Sequence, residues 1–148
     1  MAYKGKFKPT NIEKYMGDYK KITYRSLWER RFMKFCDEND SILKWGSEIV
    51  IVPYKSPIDG KMHRYFVDFI IETINKNKNR ETTLIEVKPK KHCIEPKKQV
   101  KRTRKYITEV QRFCINKAKW DSATEWAENR GWKFKILTED HLLTDGTK

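Results

Sequence analysis

The sequence predicts an α/β fold: a mixed β-sheet flanked by helices, in a single domain. Three observations predict it. The patterned segments run helix, three strands, helix, helix, strand. Two tight polar connections join the three strands, which suggests an antiparallel meander. Helical chain then separates the third strand from the last, so those two can lie parallel through a crossover. At 148 residues the chain can enclose one real core and would be cramped as two domains.

Residues 1–24 are basic and weakly patterned: Lys4, Lys6, Lys8, Lys14, Lys20 and Lys21 sit among Tyr3, Phe7, Tyr15 and Tyr19. Residues 26–40 read as a helix, because Trp28, Phe32, Phe35 and Cys36 recur at spacings of three and four and make one apolar stripe. Ser26 and Glu29 match a capping box at its start. A short strand over 42–45 and a stronger one over 48–54 follow. Residues 55–61 carry turn residues throughout, with Asp59-Gly60 the strongest pair. Residues 62–73 read as one strand and residues 75–80 as a polar loop. The next strand, rich in β-branched residues from Thr82, stops at Pro89. Residues 95–117 read as a helix, with Pro96 in its first turn and Val100, Ile107, Val110 and Cys114 on its apolar side. A second helix is expected over 121–129, capped by Asp121 or Ser122 and stopped by Gly131. A strand over 132–137 and a helical turn over 138–143 complete the order. The five tryptophans read as core anchors.

Charge is the largest compositional signal. Thirty-three Lys and Arg face twenty Asp and Glu, a formal net charge of +13, which favours a polyanionic partner, most often nucleic acid. The basic segment 1–24 is therefore either an arm that orders on DNA or a segment laid over the core. We take it as an arm, with the folded domain over 25–148. No apolar run is long enough for a transmembrane helix, and the first residues lack the apolar stretch of a signal peptide. Cys36, Cys93 and Cys114 are an odd count without a C-x-x-C pair, which argues against a disulfide framework and fits a reducing compartment. His63, His92 and His141 lack zinc-ligand spacing.

The stretch that suggests chemistry is Glu86-Val87-Lys88 at the end of an apolar strand. Side chains alternate along a strand, so Glu86 and Lys88 share one face and Ile85 and Val87 take the other. On the earlier strand, Asp68 is the only acid in an apolar run. A carboxylate there is costly unless it meets a metal, an ion-pair partner or open water. Asp68 and Glu86 on adjacent strands suit Mg²⁺, which needs few carboxylates and keeps several waters. Such an ion supports phosphodiester hydrolysis by polarising the phosphate and lowering the pKa of an attacking water. Lys88 would then orient the water or meet the charge developing on the phosphate. The alternatives are an ion pair for Asp68 and a solvated cross-strand pair for Glu86 and Lys88.

An aspartate, a gap and then E-x-K, on two strands between an acidic helix and a basic one, resembles the PD-(D/E)xK nucleases of the restriction-endonuclease-like superfamily. Here the pattern stands as Val67-Asp68 and Glu86-Val87-Lys88, with valine in the position usually held by proline. Ser26-Leu27-Trp28-Glu29, followed by Val67-Asp68 and Glu86-Val87-Lys88-Pro89, is similar to the endonuclease domain of the heteromeric bacterial transposase that nicks transposon 5′ ends. The whole chain resembles a nuclease family of T-even-like tailed phages that finishes DNA-filled heads. These resemblances imply a restriction-endonuclease-like fold over 25–148 and a DNA endonuclease using Mg²⁺, with Mn²⁺ as a substitute. They imply catalytic roles for Glu29, Asp68, Glu86 and Lys88, with Glu29, Asp68 and Glu86 as metal ligands. A helix cap explains Glu29 as simply.

Lys90, Lys91, Lys97, Lys98, Lys101, Arg102 and Lys105 are the expected DNA grip, on the exit of the Glu86 strand and on the basic helix. The resemblance further implies partners among phage head or portal-vertex proteins, residence in the host cytoplasm during assembly, and incorporation in the virion as a further option. Paired cutting of two strands would favour a dimer. Two other readings stay open: a non-catalytic DNA-binding structural component of the head, and a nicking subunit that needs a partner.

Overall fold

The computed structural model describes residues 4–142. Tyr3 of the basic segment and Leu143, the expected end of the last helical turn, lie outside the described residues. The elements are β1 (Gly5–Lys6), β2 (Thr23–Tyr24), α1 (Leu27–Glu38), β3 (Ile42–Ser47), β4 (Ile51–Lys55), β5 (Met62–Phe66), β6 (Phe69–Ile74), β7 (Arg80–Val87), α2 (Arg104–Glu128), β8 (Lys133–Leu137) and α3 (Glu139–Leu142). The main sheet has the order β3-β6-β7-β8, antiparallel except for the parallel β7–β8 pair, which α2 links as a crossover. The fold is therefore the expected mixed sheet with helices.

Alternation along β6 and β7 sorts the core into two layers. Phe69, Ile85 and Val87 pack with Phe32, Met33 and Cys36 of α1 and with Trp45. Ile70 and Leu84 pack on the other side with Trp120, Ala123 and Ala127 of α2 and with Tyr54 and Tyr65. Glu86 has the parity of Leu84, so it enters the α2 layer.

The meander takes a different form from the one expected. The strand read as continuous over 62–73 breaks at Val67-Asp68, and its halves join different sheets. β5 pairs only with β4, in a separate two-stranded ribbon closed by the Asp59-Gly60 turn, where Gly60 has φ +69°. β6 pairs with β3 and β7. Hydrogen bonds from Val67 N to Val50 O (3.0 Å) and from Glu48 N to Asp68 O (3.0 Å) carry the chains across the break.

The helices differ too. Residues 121–129 do not form a separate helix: α2 runs unbroken from Arg104 to Glu128, and both expected caps, Asp121 and Ser122, lie inside it. No Gly or Pro interrupts this stretch, and Trp120 and Ala123 continue its buried face. The start moves from 95 to 104, with the Thr103 side chain accepting from Tyr106 N. Residues 97–102 hold like charges three and four apart, and their one apolar residue, Val100, is fully exposed, so nothing stabilises a helix there. The expected stop at Gly131 is present, at φ +74°.

The described part of the basic N-terminal segment lies over the core. Ile22 is buried within it, with Phe7 and Tyr15 packed alongside. Lys14 Nζ donates to the Cys36, Asp37 and Asn39 carbonyls at 2.7, 3.0 and 2.9 Å, closing the C-terminus of α1. The buried Asp37 carboxylate accepts from Thr10 N and Asn11 N at 2.8 and 3.0 Å.

Candidate active site

The break between β5 and β6 positions the first acid. Asp68 stands at the step, and its Oδ2 accepts from Val87 N at 2.9 Å, which brings it beside Glu86. Burial pushes its carboxyl well above the usual range; the charges of Glu86 and Glu29 push the same way, and Lys88 acts against them.

Glu86 is 5% exposed. Tyr65 OH donates to its Oε1 at 2.6 Å, and Lys88 Nζ lies 3.7 Å from its Oε2. Burial and the neighbouring Glu86 charge raise the Tyr65 hydroxyl, so it remains a proton donor to the carboxylate.

Glu29 sits in the first turn of α1, where its N–H donates to Ser26 Oγ at 3.1 Å and its Oε1 accepts from Arg25 N at 3.1 Å. Ser26 therefore caps the helix, and the Glu29 carboxylate holds the N–H of the residue before that cap. Burial raises the Glu29 carboxyl, and the charges of Glu48 and Glu86 add to that. The Glu29 side chain thus holds the chain just before the helix and lies within electrostatic range of Glu48 and Glu86.

The structure adds groups that the sequence reading missed. Glu48, at φ 54° in the kink between β3 and β4, pairs with Arg25. Tyr65 is the hydroxyl on Glu86. Lys119 of α2 is partly buried, with its ammonium over the Tyr65 and Tyr54 rings at 5.5 and 5.8 Å from the centroids. Burial lowers its pKa, while the charges of Glu86 and Asp68 act in the opposite direction. Only Glu48 carried a sequence signal, an acid at the head of an apolar run; the other two depend on contacts between distant segments.

Of the basic residues expected on the helix over 95–117, Lys97, Lys98, Lys101 and Arg102 precede α2, and Lys105 lies on it. Lys90 and Lys91 lie in a short turn over Lys90–His92, and Lys90 pairs with Asp140 at 3.1 Å. Lys97, Lys98, Lys101 and Arg102 are exposed on the irregular segment before α2. Lys105 lies in the first turn of α2, which holds no acid.

The carboxylates offer hard oxygen ligands, the chemistry that suits Mg²⁺. Among the described residues, no group of three or more His, Cys, Asp or Glu side chains is gathered closely enough to hold an ion by itself.

The model of the TnsA-like endonuclease N-terminal domain matches residues 39–139. The chain belongs to that family. The matched span includes Asp68, Glu86 and Lys88 and begins after α1, so Glu29 lies outside it. The TnsA-like chain is also similar to the Head completion nuclease of Enterobacteria phage T4, at 43% identity over 152 residues covering 100% of this chain and 99% of that protein. No solved structure matches it. The chain is an endonuclease of the TnsA-like type, and no helix among its described residues is long and apolar enough to cross a membrane.

Proposed function

We propose that this endonuclease hydrolyses DNA phosphodiester bonds with a bound Mg²⁺, for which Mn²⁺ substitutes, during completion of a phage head. One observation carries the chemistry: Asp68, at the step between β5 and β6, reaches Val87 N beside Glu86 of β7, with Lys88 next to Glu86. The name of the phage relative supports the setting. Host cytoplasm during assembly and contact with head or portal-vertex proteins follow from that setting.

Asp68 and Glu86 would hold the ion, with Glu29 as the outer acid. When bound, it supplies Lewis-acid polarisation of the phosphate and a water of lowered pKa. Tyr65 occupies Oε1 of Glu86 and thereby fixes the carboxylate, leaving Oε2 toward Lys88. The Lys88 ammonium meets the negative charge that grows on the phosphate as the bond breaks. Lys90, Lys91, Lys97, Lys98, Lys101, Arg102 and Lys105 hold the DNA backbone through charge.

The test is cleavage of linear and supercoiled DNA with Mg²⁺ or with EDTA, using wild type, Asp68→Ala and Lys88→Ala. Cutting by wild type alone, and only with metal, is expected. Metal-dependent cutting by a folded Asp68→Ala or Lys88→Ala variant refutes the site. Salt-sensitive binding by wild type with no cutting favours a non-catalytic head component or a missing partner.

A further inference from the structure

We propose that Lys119 is a second phosphate-binding cation of the active site, brought by α2 against the sheet face that carries Glu86 and Lys88. The proposal rests on the endonuclease reading above and extends it to a residue outside the E-x-K motif.

The ammonium of Lys119 sits 5.5 Å from the centre of the Tyr65 ring, and the hydroxyl of that ring donates to Glu86 Oε1. Lys119 thus stands one aromatic ring away from the Glu86 carboxylate. It has no acid within ion-pair distance among the described residues. Lys117, two positions earlier on the helix, shows the ordinary alternative: it is exposed and pairs with Asp121 at 3.0 Å. The contacts of Glu86 explain why it does not serve as the counterion of Lys119. Tyr65 holds one of its oxygens and Lys88 faces the other.

An ammonium drawn partly out of water without a carboxylate partner is costly, and the faces of Tyr54 and Tyr65 compensate only in part. An incoming anion completes the balance. In a phosphodiesterase site that anion is the DNA phosphate. Lys88 would approach it from the strand and Lys119 from the helix covering the strand. The alternative is a lysine whose stem merely packs on two aromatic rings while its head reaches for water.

Lys119→Met separates the two, because it keeps the stem and removes the charge. Binding of a fluorescent duplex to the full chain is measured in EDTA across a salt series, so no cleavage intervenes. One phosphate contact on duplex DNA contributes a log–log salt slope of about 0.9. Lys119→Met is expected to lower the slope by about that amount and to weaken binding about tenfold or more. Lys119→Arg is expected to retain the slope. With Mg²⁺, Lys119→Met is expected to cut about 100-fold more slowly, as for loss of one donor to a developing oxyanion. Thermal unfolding checks each fold, and Lys119→Gln replaces Met if Met fails to fold. An unchanged slope overturns the proposal, whatever happens to the rate. Metal-dependent cutting by Asp68→Ala counts against the site assignment instead, a result separate from the slope.

Discussion

Tyr65→Phe removes one oxygen and keeps the ring. Packing against α2 and the face presented to Lys119 remain, while the 2.6 Å hydrogen bond to Glu86 Oε1 is lost. Both partners are buried, Tyr65 at 4% and Glu86 at 5% exposure, so water cannot replace the donor without opening the site. A hydrogen bond to a charged group contributes about 1.5–3 kcal/mol, and the bare carboxylate oxygen left behind favours the upper part of that range. For a chain of this length, 1 kcal/mol corresponds to a shift in Tm of about 2–4 °C. Urea and thermal unfolding in EDTA should therefore show a loss of about 1.5–3 kcal/mol at an unchanged m-value. Glu86→Leu provides the cycle: if the stabilisation resides in this bond, Tyr65→Phe costs far less in the Leu background. Glu86 would also lose its fixed orientation, so the Mg²⁺ concentration for half-maximal cutting should rise. A loss below about 0.5 kcal/mol, or equal losses in both backgrounds, refutes the reasoning.

Asp68 should make the metal-free protein less stable as pH rises. Burial and the Glu86 charge hold its folded pKa above the unfolded value, so across that window the folded state binds more protons and stability falls with pH. Asp68→Asn, measured against wild type by urea midpoints in EDTA from about pH 4 to about pH 8, should remove this decline and be the more stable protein at neutral pH. A wild type that gains stability relative to the Asp68→Asn variant as pH rises contradicts the assignment. Glu29→Gln keeps an acceptor for Arg25 N, so it should stay within about 1 kcal/mol of wild-type stability while losing cutting. Near-normal cutting by the folded variant would leave Glu29 with the structural contact to Arg25 N alone. Charge reversal at Lys97 and Lys98 should flatten the salt dependence of DNA binding by roughly one unit for each phosphate no longer neutralised, and an unaltered salt response would remove that segment from the DNA grip.

The alternation that separates Glu86 and Lys88 from Ile85 and Val87 was legible because a strand has a period of two and β7 is buried on both faces. The stops at Asp59-Gly60 and Gly131 were legible because those turns need backbone conformations that glycine supplies. The break at Val67-Asp68 was not. Both halves read as apolar strand, and the change of sheet is decided by where Val50 and Glu48 pair across it. That break is also what turns Asp68 toward Val87 N. The position of Asp68 beside Glu86 could be guessed from two adjacent strands, but not the step that produces it. Tyr65 and Lys119 carry no local mark at all, since one needs the β4–β5 ribbon folded under α2 and the other needs α2 to continue past the helix end expected at 117.

The same distinction changes the meaning of the positive charge. A net +13 suggested a polyanionic partner, most often nucleic acid. In the fold, part of the basic set is tied to internal tasks: Lys14 closes α1, Arg25 pairs with Glu48, Arg80 with Glu72, and Lys133 with Glu81. Lys97, Lys98, Lys101, Arg102 and Lys105 form no ion pair among the described residues and are exposed. The helix that follows them opens with Arg104 and Lys105 and without an acid, so its positive N-terminal dipole is left uncompensated. Like charges along 97–105 repel one another in the free protein, and phosphates would relieve both that repulsion and the dipole. The excess of charge that keeps this segment out of the helix is thus the property that suits it to DNA.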